Sequence, residues 1–139
     1  MRKEISAEIK IMASPSKVWS VLTNFNSYPL WNPFIKSLTG EVKVGNKIKV
    51  VMPGMTFKPT VLKFNQPSEF SWIGHFLFPG LFDGEHSFVL ATNEDGSTTF
   101  KQSETFNGVL VSFFSKILDK KTKPGFEQFN MKLKEQAER

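Results

Sequence analysis

The sequence predicts an α+β fold: a seven-stranded, curved antiparallel sheet wrapped around one long C-terminal helix, with two short helices after the first strand. Three observations predict it. Turn-forming residues recur at strand spacing through the middle of the chain. An apolar stripe with helical spacing runs from residue 110 to residue 137. The length of 139 residues suits one domain, here expected to span residues 1–139, and is enough for a core that needs no cross-links.

Residues 3–12 place Ile5, Ala7, Ile9 and Ile11 on one face and Glu4, Glu8 and Lys10 on the other, the alternation of a half-buried strand. In Ser14-Pro15-Ser16-Lys17, Ser14 suits an N-cap and Pro15 the first helical position, where its missing N–H costs nothing. Val18, Val21, Leu22 and Phe25 follow at helical spacing, so a helix is expected over 15–23. The segment from Phe25 to Phe34 holds Pro29 and Pro33, which limit it to one helical turn and a loop carrying Trp31. Gly40, Gly45-Asn46, Pro53-Gly54, Pro67, Pro79-Gly80 and Asp95-Gly96 then divide the chain into strands at 35–43, 46–52, 55–65, 69–77, 84–93 and 97–106. Short connections imply antiparallel neighbours. Leu110, Phe113, Phe114, Ile117 and Leu118, continued by Phe126, Phe129, Leu133 and Ala137, predict one helix over 108–137, kinked near 120–124 by Pro124. Two helices meeting at Gly125 are the alternative.

Composition narrows the function. Cysteine is absent, which excludes disulfides and thiolate metal sites and suits a reducing compartment such as the cytoplasm. No early apolar run marks a signal peptide, and none reaches the roughly 18 residues of a membrane span. The net charge is +5, but lysines such as Lys47, Lys49, Lys58 and Lys63 are spread as on a solvated sheet face, so nucleic acid is not expected as a partner. Fifteen phenylalanines and three tryptophans against one tyrosine indicate either a dense core or a cavity walled by rings.

The turn Asn93-Glu94-Asp95-Gly96-Ser97 suits a three-residue hairpin loop closed by a left-handed glycine. That loop sets the pairs Leu90 with Phe100, Phe88 with Gln102, and His86 with Glu104. A two-residue loop would match the apolar row of one strand with the polar row of the other. His86, Gln102 and Glu104 therefore face inward with Phe88 and Leu90. An inward carboxylate opposite an imidazole is costly unless paired or wetted. It can be a structural hydrogen bond, an anchor for a ligand head group, or an acid–base pair. His75 alternates with the aromatic row and is expected to face outward. Two histidines without aligned carboxylates give no metal site. No Gly-x-Ser-x-Gly elbow and no phosphate-cradling glycine loop occur, so neither covalent catalysis nor a nucleotide cofactor is expected.

The order of elements, with Ala13-Ser14-Pro15-Ser16-Lys17-Val18-Trp19, Tyr28-Pro29-Leu30-Trp31-Asn32-Pro33-Phe34, Trp72, Pro79-Gly80-Leu81-Phe82, Gly84-Glu85-His86-Ser87-Phe88 and Glu104-Thr105-Phe106-Asn107-Gly108, resembles the START-like (SRPBCC, helix-grip) superfamily over nearly the whole chain. Within it the chain is similar to the polyketide cyclase/dehydrase-type branch. The resemblance implies a cavity between sheet and helix for lipids, polyketides or other apolar molecules. It does not imply a reaction, because members include carriers as well as cyclases.

The expected partner is thus a hydrophobic small molecule, held without a cofactor by Trp31, Val50, Met52, Met55, Phe57, Val61, Phe70, Trp72, Phe76, Phe88, Leu90, Phe106, Phe113, Phe114, Ile117 and Phe129, with His86, Gln102 and Glu104 as the polar positions. An enzyme of the cyclase or hydratase kind, using His86 and Glu104 as acid and base, is the alternative. A further one is an interaction module. The apolar loop Phe76-Leu77-Phe78-Pro79-Gly80-Leu81-Phe82 either gates the cavity or touches a partner or a membrane surface peripherally.

Overall fold

The computed structural model describes residues 2–139. Strand β1 (Arg2–Ile11) is followed by helix α1 (Pro15–Leu22), a 3-10 turn (Phe25–Ser27) and helix α2 (Tyr28–Trp31). Then come β2 (Ser37–Thr39), β3 (Lys49–Met52), β4 (Met55–Phe57), β5 (Thr60–Asn65), β6 (Glu69–His75), β7 (Asp83–Thr92), β8 (Thr98–Asn107) and helix α3 (Val111–Ala137). The strands are all antiparallel, in a five-stranded sheet β1-β8-β7-β6-β5 and a three-stranded sheet β2-β3-β4.

The expected sheet and C-terminal helix are present, with eight strands instead of seven. The strand read over 55–65 is divided between β4 and β5 at Lys58-Pro59, and the proline has no N–H to give a ladder. A single bridge, Lys47 with Thr60, links the two sheets. The strand read over 35–43 shrinks to β2, because Asn32 Oδ1 accepts from the N–H groups of Phe34 and Ile35 and holds that stretch in a turn.

Helix α1 starts as its sequence dictates, with Ser14 Oγ accepting from Lys17 N at 3.2 Å and Pro15 in the first turn. The hairpin β7–β8 has the three-residue loop, with Asn93 N donating to Ser97 O and Gly96 at φ +84. Its register pairs Leu90 with Phe100, Phe88 with Gln102, and His86 with Glu104.

Helix α3 runs unbroken through Pro124. Its buried face differs from the stripe read off the sequence. Val111, Phe126, Phe129, Leu133 and Ala137 are buried, and Phe114 and Leu118 half-buried. At about 100° per residue these share one side, whereas Phe113 and Ile117 point away from it. The stripe in the first half of α3 therefore merged two faces.

The main core lies between the second half of α3 and the sheet. Phe129 stacks on Phe88 (ring centroids 5.5 Å apart) and Phe100 (6.3 Å), and meets Trp31 and Tyr28 edge-on. A smaller cluster of Ile5, Phe106, Val111 and Phe126 sits under the first half of α3, with Phe34, Phe82 and Leu118 against it. No helix among the described residues is long and apolar enough to cross a membrane.

Candidate functional site

Of the rows of side chains that cross the inner face of the sheet, three bear on the site. One is Ile5, Glu104, His86, Trp72 and Val61; the next is Ala7, Gln102, Phe88, Phe70 and Phe64. The third, toward the end beneath the first half of α3, is Lys3, Phe106, Gly84 and Gly74. Two paired glycines leave those positions of β6 and β7 without side chains of their own. Phe57 packs over Gly74, and the carboxylate of Glu104 occupies the room beside Gly84.

The polar positions form one chain. His86 Nδ1 lies 3.2 Å from Glu104 Oε1, and His86 Nε2 lies 2.8 Å from Gln102 Oε1. Gln102 Nε2 donates to Asn130 Oδ1 at 3.0 Å, and Asn130 Nδ2 donates to the carbonyl of Ala7 at 3.2 Å. His86 is sealed between the rings of Trp72 (4.9 Å), Phe88 (4.6 Å) and Phe126 (5.1 Å). The side chain of Glu104 remains 19% exposed, against 3% for His86. Any acid–base chemistry on a guest molecule would therefore act through Glu104, with His86 behind it. Asn130 escaped the sequence reading. Its signal was its place four residues after Phe126, a polar residue on the apolar face of α3.

The residues expected to line a cavity divide into two groups. Val50, Val61, Phe70, Trp72, Phe88, Leu90, Phe106 and Phe129 are buried, with His86 and Gln102. Trp31, Met52, Phe57 and Phe114 are half-buried. Four do not line an interior. Phe113 (79% exposed) and Ile117 (54%) lie on the outer side of α3. Phe76 (55%) stands beyond the end of β6, where the chain turns out through Leu77 at φ +63. Met55 (55%) sits at the tip of the β3–β4 hairpin, outside the five-stranded sheet. The cavity is expected between sheet and helix, with no part of α3 singled out. Over its second half the space is filled by Phe126, Phe129 and Leu133, each without exposed surface.

The first half of α3 covers the smaller cluster of Ile5, Phe106 and Val111 at the other end of the sheet. The loop from Phe76 to Phe82 docks there, with Val109 N donating to Gly80 O and Leu110 N to Leu81 O. Phe82 packs on Phe106 (5.6 Å) and Phe114 (5.5 Å). At the loop base Asp83 accepts from Gly80 N at 3.0 Å and meets the exposed His75 Nδ1 at 2.7 Å. Desolvation is the largest single influence and opposes its charge, but these partners together outweigh it and hold its carboxyl below the ordinary carboxylate value. Phe76, Leu77, Phe78, Val109, Phe113 and Ile117 are exposed on this loop, on the turn it docks against and on the adjoining turns of α3. Elsewhere, an open groove of about 500 Å³ runs between β1 and α3, lined by Ser6, Glu8, Lys123, Glu127 and Met131 among others. Among the described residues no group of three or more His, Asp or Glu side chains is placed to hold a metal ion.

The sequence profile of the family described as "Polyketide cyclase / dehydrase and lipid transport" matches residues 2–138. No curated protein matches the chain. Among solved structures, protein jhp0584 from Helicobacter pylori superposes with a TM-score of 0.82 at 13% identity, covering 97% of this chain and 88% of its own. Protein MLL2253 from Mesorhizobium loti gives 0.75 at 18% identity, over 96% and 95% of the two chains. The Aha1 dimer from Colwellia psychrerythraea gives 0.73 at 23% identity, over 98% and 96%. At these identities the likeness is one of fold.

Proposed function

The chain belongs to the polyketide cyclase / dehydrase and lipid transport family, of the SRPBCC, helix-grip type, and on that premise we propose that it binds a hydrophobic small molecule at the end of its sheet beneath the first half of α3. One contrast supports this reading. At one end of α3 the rings are packed without exposed surface. At the other, Phe76, Leu77, Phe78 and Val109 stand in water on the docked loop and the turn it meets, and the Glu104 side chain keeps 19% of its surface exposed. Moving one such side chain out of water is worth roughly 1.5–3 kcal/mol, so an apolar guest removes an unfavourable exposure. At this end Gly74 and Gly84 carry no side chains of their own, and a guest would meet Phe57 and Glu104 over them instead of the main core.

The test is native mass spectrometry of protein expressed in cells, with extraction of whatever co-purifies, followed by titration with an apolar fluorescent probe. A co-purified apolar molecule that the probe displaces supports the reading. Protein that is empty and ignores the probe rejects it.

A second reading, contact with an anionic membrane, is favoured by charge. Lys116, Lys120 and Lys121 lie three and four residues from Phe113 and Ile117, all exposed on the same side of α3. Sedimentation with anionic vesicles that weakens as salt rises supports it. Equal indifference to anionic and neutral vesicles rejects it.

A further inference from the structure

Resting on the ligand-binding reading, we infer that the polar end of the ligand is a hydrogen-bond donor, an alcohol, phenol or amine, and not a carboxylate or phosphate. The inference follows the buried polar chain from a point of fixed polarity. The carbonyl of Ala7 can only accept, so the group that Asn130 turns to it is the NH₂. The Oδ1 of Asn130 then faces Gln102, which must offer its own NH₂ there. That leaves Gln102 Oε1 toward His86 Nε2, at 2.8 Å, and Nε2 must carry a hydrogen. The amide orientations are thus set by a backbone atom and propagate to the imidazole.

One contact remains, His86 Nδ1 to Glu104 Oε1 at 3.2 Å. A nitrogen lone pair facing a carboxylate lone pair repels, so one proton lies between them. If it is on Nδ1, the pair is imidazolium and carboxylate. If it is on Oε1, both are neutral and Glu104 Oε2 is a carbonyl oxygen. In either case Oε2 is an acceptor. Among the described residues it has no donor, and it lies over Gly84 on a side chain that keeps 19% of its surface exposed. A guest that reaches Glu104 therefore meets an acceptor.

An anionic head group finds no cation there. On the inner rows of β1, β6, β7 and β8 the basic side chains are Lys3 and His86. Lys3 is engaged by Asp119 at 2.9 Å, and His86 is sealed under rings with both nitrogens engaged. A carboxylate or phosphate beside Glu104 would be desolvated against an acceptor, whereas an alcohol or amine completes the chain.

The test is calorimetric titration with dodecanol, dodecylamine and dodecanoate, each below its aggregation concentration, on the wild type and on Glu104→Leu and Glu104→Gln. The expected result is that the alcohol and the amine bind at least about 10-fold tighter than the acid. Glu104→Leu abolishes that preference. Glu104→Gln keeps the preference for the alcohol, because its amide can donate to Nδ1 and leave an oxygen outward; it also covers the case in which the leucine variant fails to fold. Equal or tighter binding of dodecanoate overturns the inference while leaving the ligand site standing. Failure of all three to bind overturns the site itself. Independently of any ligand, long-range ¹H–¹⁵N spectra are expected to show His86 protonated at Nε2, and a bare Nε2 overturns the polarity argument.

Discussion

Replacing Phe129 by alanine tests where the interior of this protein has room. The ring has no exposed surface and four aromatic neighbours, Tyr28, Trp31, Phe88 and Phe100, with centroids between 5.5 and 6.5 Å away. Transfer of a buried phenylalanine side chain accounts for roughly 2–3 kcal/mol. Aromatic pairing adds on the order of 0.5–1.5 kcal/mol per good pair, and a cavity that cannot collapse adds more. The rigid rings around the site limit collapse, so the loss belongs at the upper end of the range for such changes, about 4–5 kcal/mol. Urea denaturation followed by tryptophan fluorescence measures it, with the midpoint falling while the slope stays constant. Phe113→Ala, on the exposed face of the same helix, is expected to change stability by less than about 0.5 kcal/mol. A loss below about 1.5 kcal/mol for Phe129→Ala would mean that the second half of α3 does not seal the sheet, and the assignment of the ligand to the first half would fail.

Gly108, at φ +130, is expected to reject a side chain, because a Cβ there would lie 2.5 Å from the Leu81 carbonyl oxygen. Gly108→Ala should lower stability in thermal melts by roughly 2–4 kcal/mol, whereas Gly45→Ala, at φ +91 with open space around it, should lose only about 1–2 kcal/mol. Burial holds the Tyr28 hydroxyl un-ionised well above its ordinary range, and its O–H donates to the Leu22 carbonyl. Because the folded pKa is the raised one, this stability is complete below the unfolded value near 10 and falls by about 1.4 kcal/mol per pH unit above it. As Tyr28 is the one tyrosine in the chain, tyrosinate absorbance should appear only together with unfolding, and its appearance in folded protein near pH 10 would contradict the burial. Asn130→Leu strands the amide of Gln102 and is expected to cost on the order of 1–3 kcal/mol in chemical denaturation. An unchanged midpoint would show that water replaces the asparagine.

The elements readable from the chain alone were those whose signals are local. Ser14-Pro15 opens α1 through a side chain and a backbone torsion that act within one turn. The Asn93–Ser97 loop sets the β7–β8 register, because with a period of two its odd length keeps Phe88 and Leu90 on the same face as Phe100, which a two-residue loop would not. From that register the inward placement of His86, Gln102 and Glu104 followed. Three features depended on distant segments meeting. Which side of α3 faces the sheet was ambiguous at Phe113 and Ile117, since the first half of the helix carries apolar residues on two sides and only docking selects one. Whether the rings enclosed a hollow depended on Phe129 reaching Phe88 and Phe100, a matter of the distance between two surfaces that no residue pattern encodes. The polar chain through His86 was half legible: the sheet supplied Glu104 and Gln102, but Asn130, far away in sequence, arrived only with the helix, and with it the polarity of the whole chain.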